Sequence, residues 1–297
     1  MEAKAQSVGK HKRKFWKRRK PNRSVGGDMF ITAVIGVFAI FFVWPLVYAV
    51  NNAFKPLSEI FLFPPRLFVR QPTLNNFQDL FVIMGSSWVT FSRYVVNSLL
   101  ITTAGTLGLI VIASLGAYVV SKMRVPGWSL FMKLVITCLM FSGAVTAIPN
   151  YLIMTKLGWI DTYWAVIVPA MTMPMGFFLL KQFIDTIPDT LLEAAKIDGA
   201  QELLIFTRIV LPMIKPAWLT VLIFSVQALW NASGSTYIYS EQLKTLPYAL
   251  SQIVGGGIAR TGVSAAVTLF MMILPLGVFI FSQSNVMQTM ANSGIKE

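Results

Sequence analysis

Six stretches of this chain carry no charged side chain and are long enough, or nearly so, to cross a lipid bilayer. They are residues 29–54, 94–121, 134–155, 162–180, 216–240 and 261–295, the last with a polar tail after Phe281. A hydrocarbon core roughly 30 Å thick takes about 20 apolar residues of helix to span. Inside it every backbone N–H and C=O must find a partner within the protein, so runs of this length are expected to be helical. Charged residues make up 12% of the chain, against about a quarter in a soluble domain, and 55% are hydrophobic. The expected fold is therefore an all-α integral membrane protein, a bundle of six helices. Pro45, Pro149, Pro169, Pro174 and Pro275 fall inside the runs. An interior proline costs about 3 kcal/mol in an isolated helix, but neighbouring helices in a bundle satisfy the freed carbonyls, so kinked spans are expected.

The formal net charge is +13, and ten of the 25 cations, from Lys4 to Arg23, precede the first apolar run. Such a tail can be a nucleic-acid arm or a topogenic segment at the membrane surface. A polybasic stretch beside a span holds that end in the cytoplasm and is drawn to anionic lipid. The rest of the chain leaves no room for a nucleic-acid fold, so membrane lipid is the expected partner and nucleic acid is not. With the N-terminus inside, 17 cations fall on the cytoplasmic side, including Lys122, Arg124, Lys181, Lys196, Arg208, Lys215 and Lys296. Seven fall outside, and Lys133 stands at the start of the third run. Both termini are then cytoplasmic. The chain divides into a basic tail over 1–28, a membrane domain over 29–285 and a second cytoplasmic tail over 286–297. The run at 29–50 is too long for the core of a signal peptide and no small-residue cleavage pattern follows it, so it reads as an uncleaved anchor. His11 and Cys138 are the only residues of their kinds. That excludes an intramolecular disulfide, a His-dependent triad and a Cys/His metal cluster within the chain.

The segment between the fourth and fifth runs, 186–215, is the most informative. Pro188 suits a first helical turn, and Thr190 followed three residues later by Glu193 has the form of a capping box. A short helix is expected from Leu191 to Ile197. Asp198-Gly199 signals a turn, because glycine tolerates positive φ. A second short helix is expected over 200–211, closed by Pro212. The product is a helix–turn–helix knob on the cytoplasmic face. Ala194, Ala195, Gly199 and Ala200 let another surface approach the backbone closely, and Leu192, Ile197 and Phe206 offer apolar anchors. An amphipathic connector lying at the interface satisfies the same local physics.

The pattern Glu193-Ala194-Ala195, Asp198-Gly199-Ala200, Phe206, Ile209 and Leu211-Pro212, with Pro216 beyond, resembles the EAA motif of binding-protein-dependent ABC importer permeases. About eleven positions match at fixed spacing, on the side that the charge distribution independently makes cytoplasmic. Asn97-Ser98-Leu99-Leu100, Ala117-Tyr118 and Pro126-Gly127 resemble the carbohydrate branch, the maltose-type second permease. The likeness covers about residues 28–297. It departs at Trp230-Asn231-Ala232-Ser233, where many sugar permeases carry an acidic or bulky residue after the Trp-Asn pair. The polar run 231–240 also looks specialised.

This resemblance implies a subunit of a sugar or oligosaccharide importer in a bacterial cytoplasmic membrane. Glu193, Ala194, Ala195, Asp198, Gly199, Ala200, Phe206, Leu211 and Pro212 would form the region gripped by a partner ATPase. No Walker A pattern occurs, so ATP and Mg are expected on two separate ATPase subunits, with no cofactor on this chain and no enzymatic activity of its own. A second, homologous permease and an extracellular sugar-binding protein complete the expected set of partners.

Two outer loops are long, 55–92 with four prolines and 241–260 with Gly255, Gly256 and Gly257. Loops of this length are often functional, and the resemblance implies that the three glycines lie near the cleft of the docked binding protein. Gln227, Trp230, Asn231 and Tyr237 are candidates for the sugar path, since sugars bind to aromatic faces and neutral hydrogen-bonding groups; packing between membrane helices is the competing role. The alternative function is an ion-coupled secondary carrier. Coupled carriers place ionisable residues in the membrane core, and none lies in the middle of these six runs. A membrane-embedded protease is excluded by the absence of paired membrane aspartates and of histidine ligands.

Overall fold

A computed structural model describes residues 25–85, 89–123, 126–257 and 260–293. Residues 1–24 of the basic tail, with His11, together with Arg124 and Lys296, lie outside the described residues. Among those described there is helix and turn but no strand. The chain divides into two units, ending and beginning at Tyr48 and Ala49.

The first helix, α1 (Val25–Phe54), contains Pro45 and is apolar on every side. Short helices α2 (Leu57–Ile60) and α3 (Asn75–Gly85) follow, so the first long loop is largely structured. Buried polar groups order it. Lys55 donates from Nζ to the Arg66 carbonyl at 2.6 Å, and the Glu59 carboxylate accepts the Arg70 backbone N–H at 3.0 Å. The Asn76 amide donates to the carbonyls of Ala53 and Lys55. Buried groups of this kind are tolerated because each finds a partner.

Helix α4 (Phe91–Lys122) is the axis of the second unit. At 1.5 Å per residue its 32 residues extend about 48 Å. Three core clusters follow one another along it. One gathers around Tyr94, Trp230 and Leu250, the next around Ile101, Leu229 and Ile238, and the last around Leu109, Ala113, Leu180, Ile205 and Val210. Small residues let partners approach: a side chain at Gly105 would collide with Leu229. Thr106 and Ser225 share a buried hydrogen bond of 3.0 Å across to a later helix, a usual polar link between membrane helices.

The third apolar run is not one straight span. It forms α5 (Trp128–Leu139) and α6 (Gly143–Lys156), which meet at 112°. Ser142 is the cause at the residue level: its backbone is extended and its hydroxyl accepts the Ala144 N–H, starting a fresh helix. Pro149 sits inside α6 and is not the origin of the break. The fourth run forms α7 (Trp164–Ala170) and α8 (Pro174–Asp185), with Pro174 in the first turn of α8. Together they make a stretch long enough to cross, five residues longer at its end than the sequence suggests.

Next come α9 (Asp189–Ile197), α10 (Glu202–Ile205), a π-helical turn (Phe206–Val210), α11 (Leu211–Met213) and α12 (Lys215–Trp230). The fifth run therefore stops being helical at Trp230, ten residues short of its expected end. Its 16 helical residues rise about 24 Å. A 3-10 turn (Glu241–Leu243), α13 (Leu246–Val254) and α14 (Thr261–Ser293) complete the chain. The second long loop is thus mostly helix: Leu246, Ala249, Leu250 and Ile253 bury one face of α13. Helix α14 contains Pro275 and continues past Phe281 and residue 285 to Ser293, so neither the polar residues nor the expected domain boundary ends it. Among the described residues, four stretches are long and apolar enough to cross a bilayer, and up to six if each of two sharply bent pairs counts as one.

Candidate functional site

The segment after α8 is a closed knob. Helix α9 begins at Asp189, with Pro188 at its N-cap and no side-chain cap. Thr190 and Glu193 therefore do not form a capping box; Thr190 already lies within the first turn. The C-terminus is closed by the backbone alone. Gly199 has φ +82°, its N–H donates to the Lys196 carbonyl, and the Ala200 N–H reaches back to the Ala195 carbonyl, both at 3.0 Å. This pair of bonds is the Schellman closure, and it needs a residue that accepts positive φ at the Gly199 position.

Three ties hold this knob to the end of α4. The ammonium of Lys122 donates to the Ile187 carbonyl at 2.6 Å and to Asp189 at 2.7 Å. The Tyr118 hydroxyl donates to the Glu202 carboxylate at 2.7 Å, whose other oxygen pairs with Lys196 at 2.6 Å. The rings of Tyr118 and Phe206 pack with centroids 5.5 Å apart. Glu202 thus joins α9, α10 and α4 through one carboxylate. Nothing in the sequence pattern around Glu202 singled it out, because its partners are 84 residues upstream and six residues back.

Burial divides the expected coupling residues. Glu193, Ala194, Asp198 and Gly199 are exposed, and Ala195, Ala200 and Leu211 are half-buried. Glu193 makes no ion pair or side-chain hydrogen bond among the described residues. Phe206 is buried in the chain's own core, as is Leu192, so neither is free to anchor a partner. Their burial follows from the turn: the two short helices fold back against α4 and α8, and their inward residues join that core. Ile197, by contrast, is 86% exposed, and Leu203, six residues later on the next short helix, is exposed too. Pro212 is exposed and does not close the second helix, which begins at Glu202 and runs to Met213. Proline lacks the N–H that an α-helix would direct to residue 208, and its ring crowds that carbonyl. The wider π turn just before it, closed by Leu211 N–H to the Phe206 carbonyl, accommodates the proline without ending the helix. The chain instead bends by 77° into α12.

The candidate path residues separate as well. Trp230 is buried, with its indole N–H donating to the Met271 carbonyl at 2.9 Å. It is a packing residue between α12 and α14 and leaves no ring face for a ligand. Gln227 and Asn231 are exposed, and the Asn231 amide caps the Gln227 carbonyl at 2.8 Å. Tyr237 is half-buried, and its ring lies against Tyr151 of α6. Asp161, a non-glycine residue at φ 61°, fixes this region. Its backbone N–H donates to the Tyr237 carbonyl, and its carboxylate accepts the N–H groups of Tyr239 and Ser240 and the Ser240 hydroxyl. The Ser240 side chain, followed by the two backbone donors, holds the Asp161 carboxyl below its usual range. Tyr151, Asp161 and Tyr239 are absent from the expected set; a lone tyrosine in an apolar run gives no signal until the fold brings a second one to it.

Gly255, Gly256 and Gly257 follow α13 and are all exposed, with Gly257 at φ +85°. Among the described residues no three His, Cys, Asp or Glu side chains converge as metal ligands.

An apolar helical bundle carrying an exposed, backbone-closed knob is the plan of a membrane transport subunit. Residues 29–288 match the family described as the binding-protein-dependent transport system inner membrane component, and the chain belongs to that family. The inner membrane ABC transporter permease protein YcjP of Escherichia coli (strain K12) is 31% identical over 223 residues, covering 74% of this chain and 79% of that one. The polygalacturonan/rhamnogalacturonan transport system permease protein YtcP of Bacillus subtilis (strain 168) is 32% identical over 229 residues, with 76% and 78% covered. The fold matches a chain in the crystal structure of a bacterial ABC transporter involved in the import of the acidic polysaccharide alginate. There the TM-score is 0.74 at 20% identity, with 89% of this chain and 99% of that one covered.

Proposed function

We propose that this chain is a permease subunit of an ABC importer that carries a sugar or oligosaccharide into the cytoplasm. It pairs with a second, homologous permease, is driven by two separate ATPase subunits that hold ATP and Mg, and receives its cargo from an extracellular sugar-binding protein. Six spans with both termini in the cytoplasm put the knob on the ATPase side, in keeping with the charge asymmetry.

The observation that carries this reading is the knob itself. Glu193, Ala194, Ile197, Asp198 and Gly199 are exposed, while Lys122, Tyr118 and Phe206 fix the same segment to α4. A surface that is open outward and rigid inward can pass a push from a partner directly to the central helix. Closure of the ATPase pair would move α9 and carry the end of α4 with it. Family membership supports the transport role, and the name of the relative YtcP supports a saccharide cargo. Gly255, Gly256 and Gly257, on the opposite side in this orientation, suit the approach of a binding protein.

The test is uptake of labelled oligosaccharide by proteoliposomes holding the complete complex and the loaded binding protein. ATP inside the cytoplasmic compartment should drive uptake, and a proton or sodium gradient without ATP should not. Gradient-driven uptake would support the ion-coupled carrier instead.

A further inference from the structure

Away from the knob, three tyrosines from two distant segments of the chain converge. Tyr151 stands on α6, and Tyr237 and Tyr239 on the polar segment after α12. The rings of Tyr151 and Tyr237 are within 19° of parallel, with centroids 6.4 Å apart. The hydroxyls of Tyr151 and Tyr239 lie 3.2 Å apart. These are not core side chains: Tyr239 is 55% exposed and the other two are half-buried. The Asp161 turn, which directly follows α6, clamps the backbone of the polar segment at Tyr237, Tyr239 and Ser240. The rings are therefore set before any ligand arrives, which lowers the ordering cost of binding.

We propose that Tyr151, Tyr237 and Tyr239 form a subsite for an uncharged sugar ring, an inference that rests on the carbohydrate reading above. A pyranose ring offers a C–H face that packs on an aromatic face, and hydroxyls that pair with neutral donors and acceptors; a phenol supplies both. Charge argues against a uronate ring at this position. The two stretches that build the cluster, 143–173 and 216–240, contain only Lys156 and Asp161 as charged residues. Lys156 is five positions along α6 from Tyr151, about 140° around the helix, and Asp161 repels an anion. Lys244 acts on Asp161 from the next segment, but its ammonium is already paired with Glu241 at 2.9 Å. Carboxylates are ordinarily gripped by arginine forks, and these stretches contain none. Tyrosines also gather where a bilayer meets water. Such a belt, however, requires neither near-parallel rings with adjoining hydroxyls nor a carboxylate clamp that orders their backbone.

The experiment is uptake by cells in which this gene is replaced by variants. The probes are labelled galacto-oligosaccharide (neutral rings only), rhamnogalacturonan fragments (neutral and uronate rings alternating) and alginate oligosaccharide (uronate rings only). Co-purification of the permease and ATPase subunits as one complex confirms assembly of each variant. Gene-dependent uptake of a saccharide that contains neutral rings, cut about tenfold by Tyr237→Leu and by Tyr151→Leu but little by Tyr237→Phe, is the expected result. Gene-dependent uptake of the all-uronate probe overturns the inference. So does uptake of any probe that ignores both leucine variants in assembled complexes, which would return the tyrosines to the lipid interface. If no saccharide depends on the gene at all, the carbohydrate reading fails and this subsite fails with it.

Discussion

Glu202 and Asp161 show how much a single carboxylate does in this chain. Glu202 joins Tyr118 of the central helix to Lys196 of the knob. Glu202→Gln keeps a hydrogen-bond acceptor but removes the charge that holds Lys196. We expect the complex to assemble with normal basal ATPase activity, while stimulation by loaded binding protein falls several-fold. Equal stimulation in the variant and the parent would remove Glu202 from the transmission path. Asp161 governs a pH response. Its carboxyl lies below the ordinary range when folded, first through the Ser240 side chain. A carboxyl depressed by folding adds stability above its unfolded pKa and loses it as the pH falls through the folded one. The Asp161 clamp should therefore be constant from about pH 5 to 8 and weaken only below about pH 4. Thermal unfolding of the purified complex across that range checks this, with Asp161→Asn removing the acid limb. Neither role was legible in the sequence. Hydrogen-bond partners 78 or 84 positions apart leave no local pattern, whereas Gly199, whose role is set by its own φ, was visible from Asp198-Gly199 alone.

Among the elements, the breaks carry the lesson. Apolar runs announce that a helix exists, but not where it bends, because lipid-facing sequence is apolar on both sides of a bend. The third run looked continuous, yet one N-cap at Ser142 divides it. Ser142→Ala should cost about 1 kcal/mol as that cap is lost, measured as a lower unfolding midpoint of the complex. Pro212 misled in the opposite direction. It looked like a helix stop, and the π turn before it absorbs the missing N–H. The buried positions of Leu192 and Phe206 were illegible for a related reason. The local sequence gives each short helix an apolar face, but only packing against α4 and α8 decides whether that face is spent on the chain's own core or left for a partner.

For the whole molecule, charge asymmetry and the knob motif between them support the proposed importer subunit driven by separate ATPase chains. Sidedness follows from the same proposed topology. In a Cys138→Ser background, a cysteine at Ile197 should react with a membrane-impermeant thiol reagent only from the cytoplasmic side, and one at Gly257 only from outside. Labelling of both from one side would reject the orientation. In the proposed mechanism the knob transmits work because its turn is closed and rigid. Gly199 is the position to probe: an added side chain would touch nothing within 4 Å, so a substitution acts through backbone strain, about 1–2 kcal/mol for an ordinary L-residue at positive φ and more for a β-branched one. The measurement is ATPase activity of the reconstituted complex carrying Gly199→Val, with and without sugar-loaded binding protein. The expected result is assembled complex with basal hydrolysis but little or no stimulation; full stimulation would show that coupling does not depend on the closed turn at Gly199.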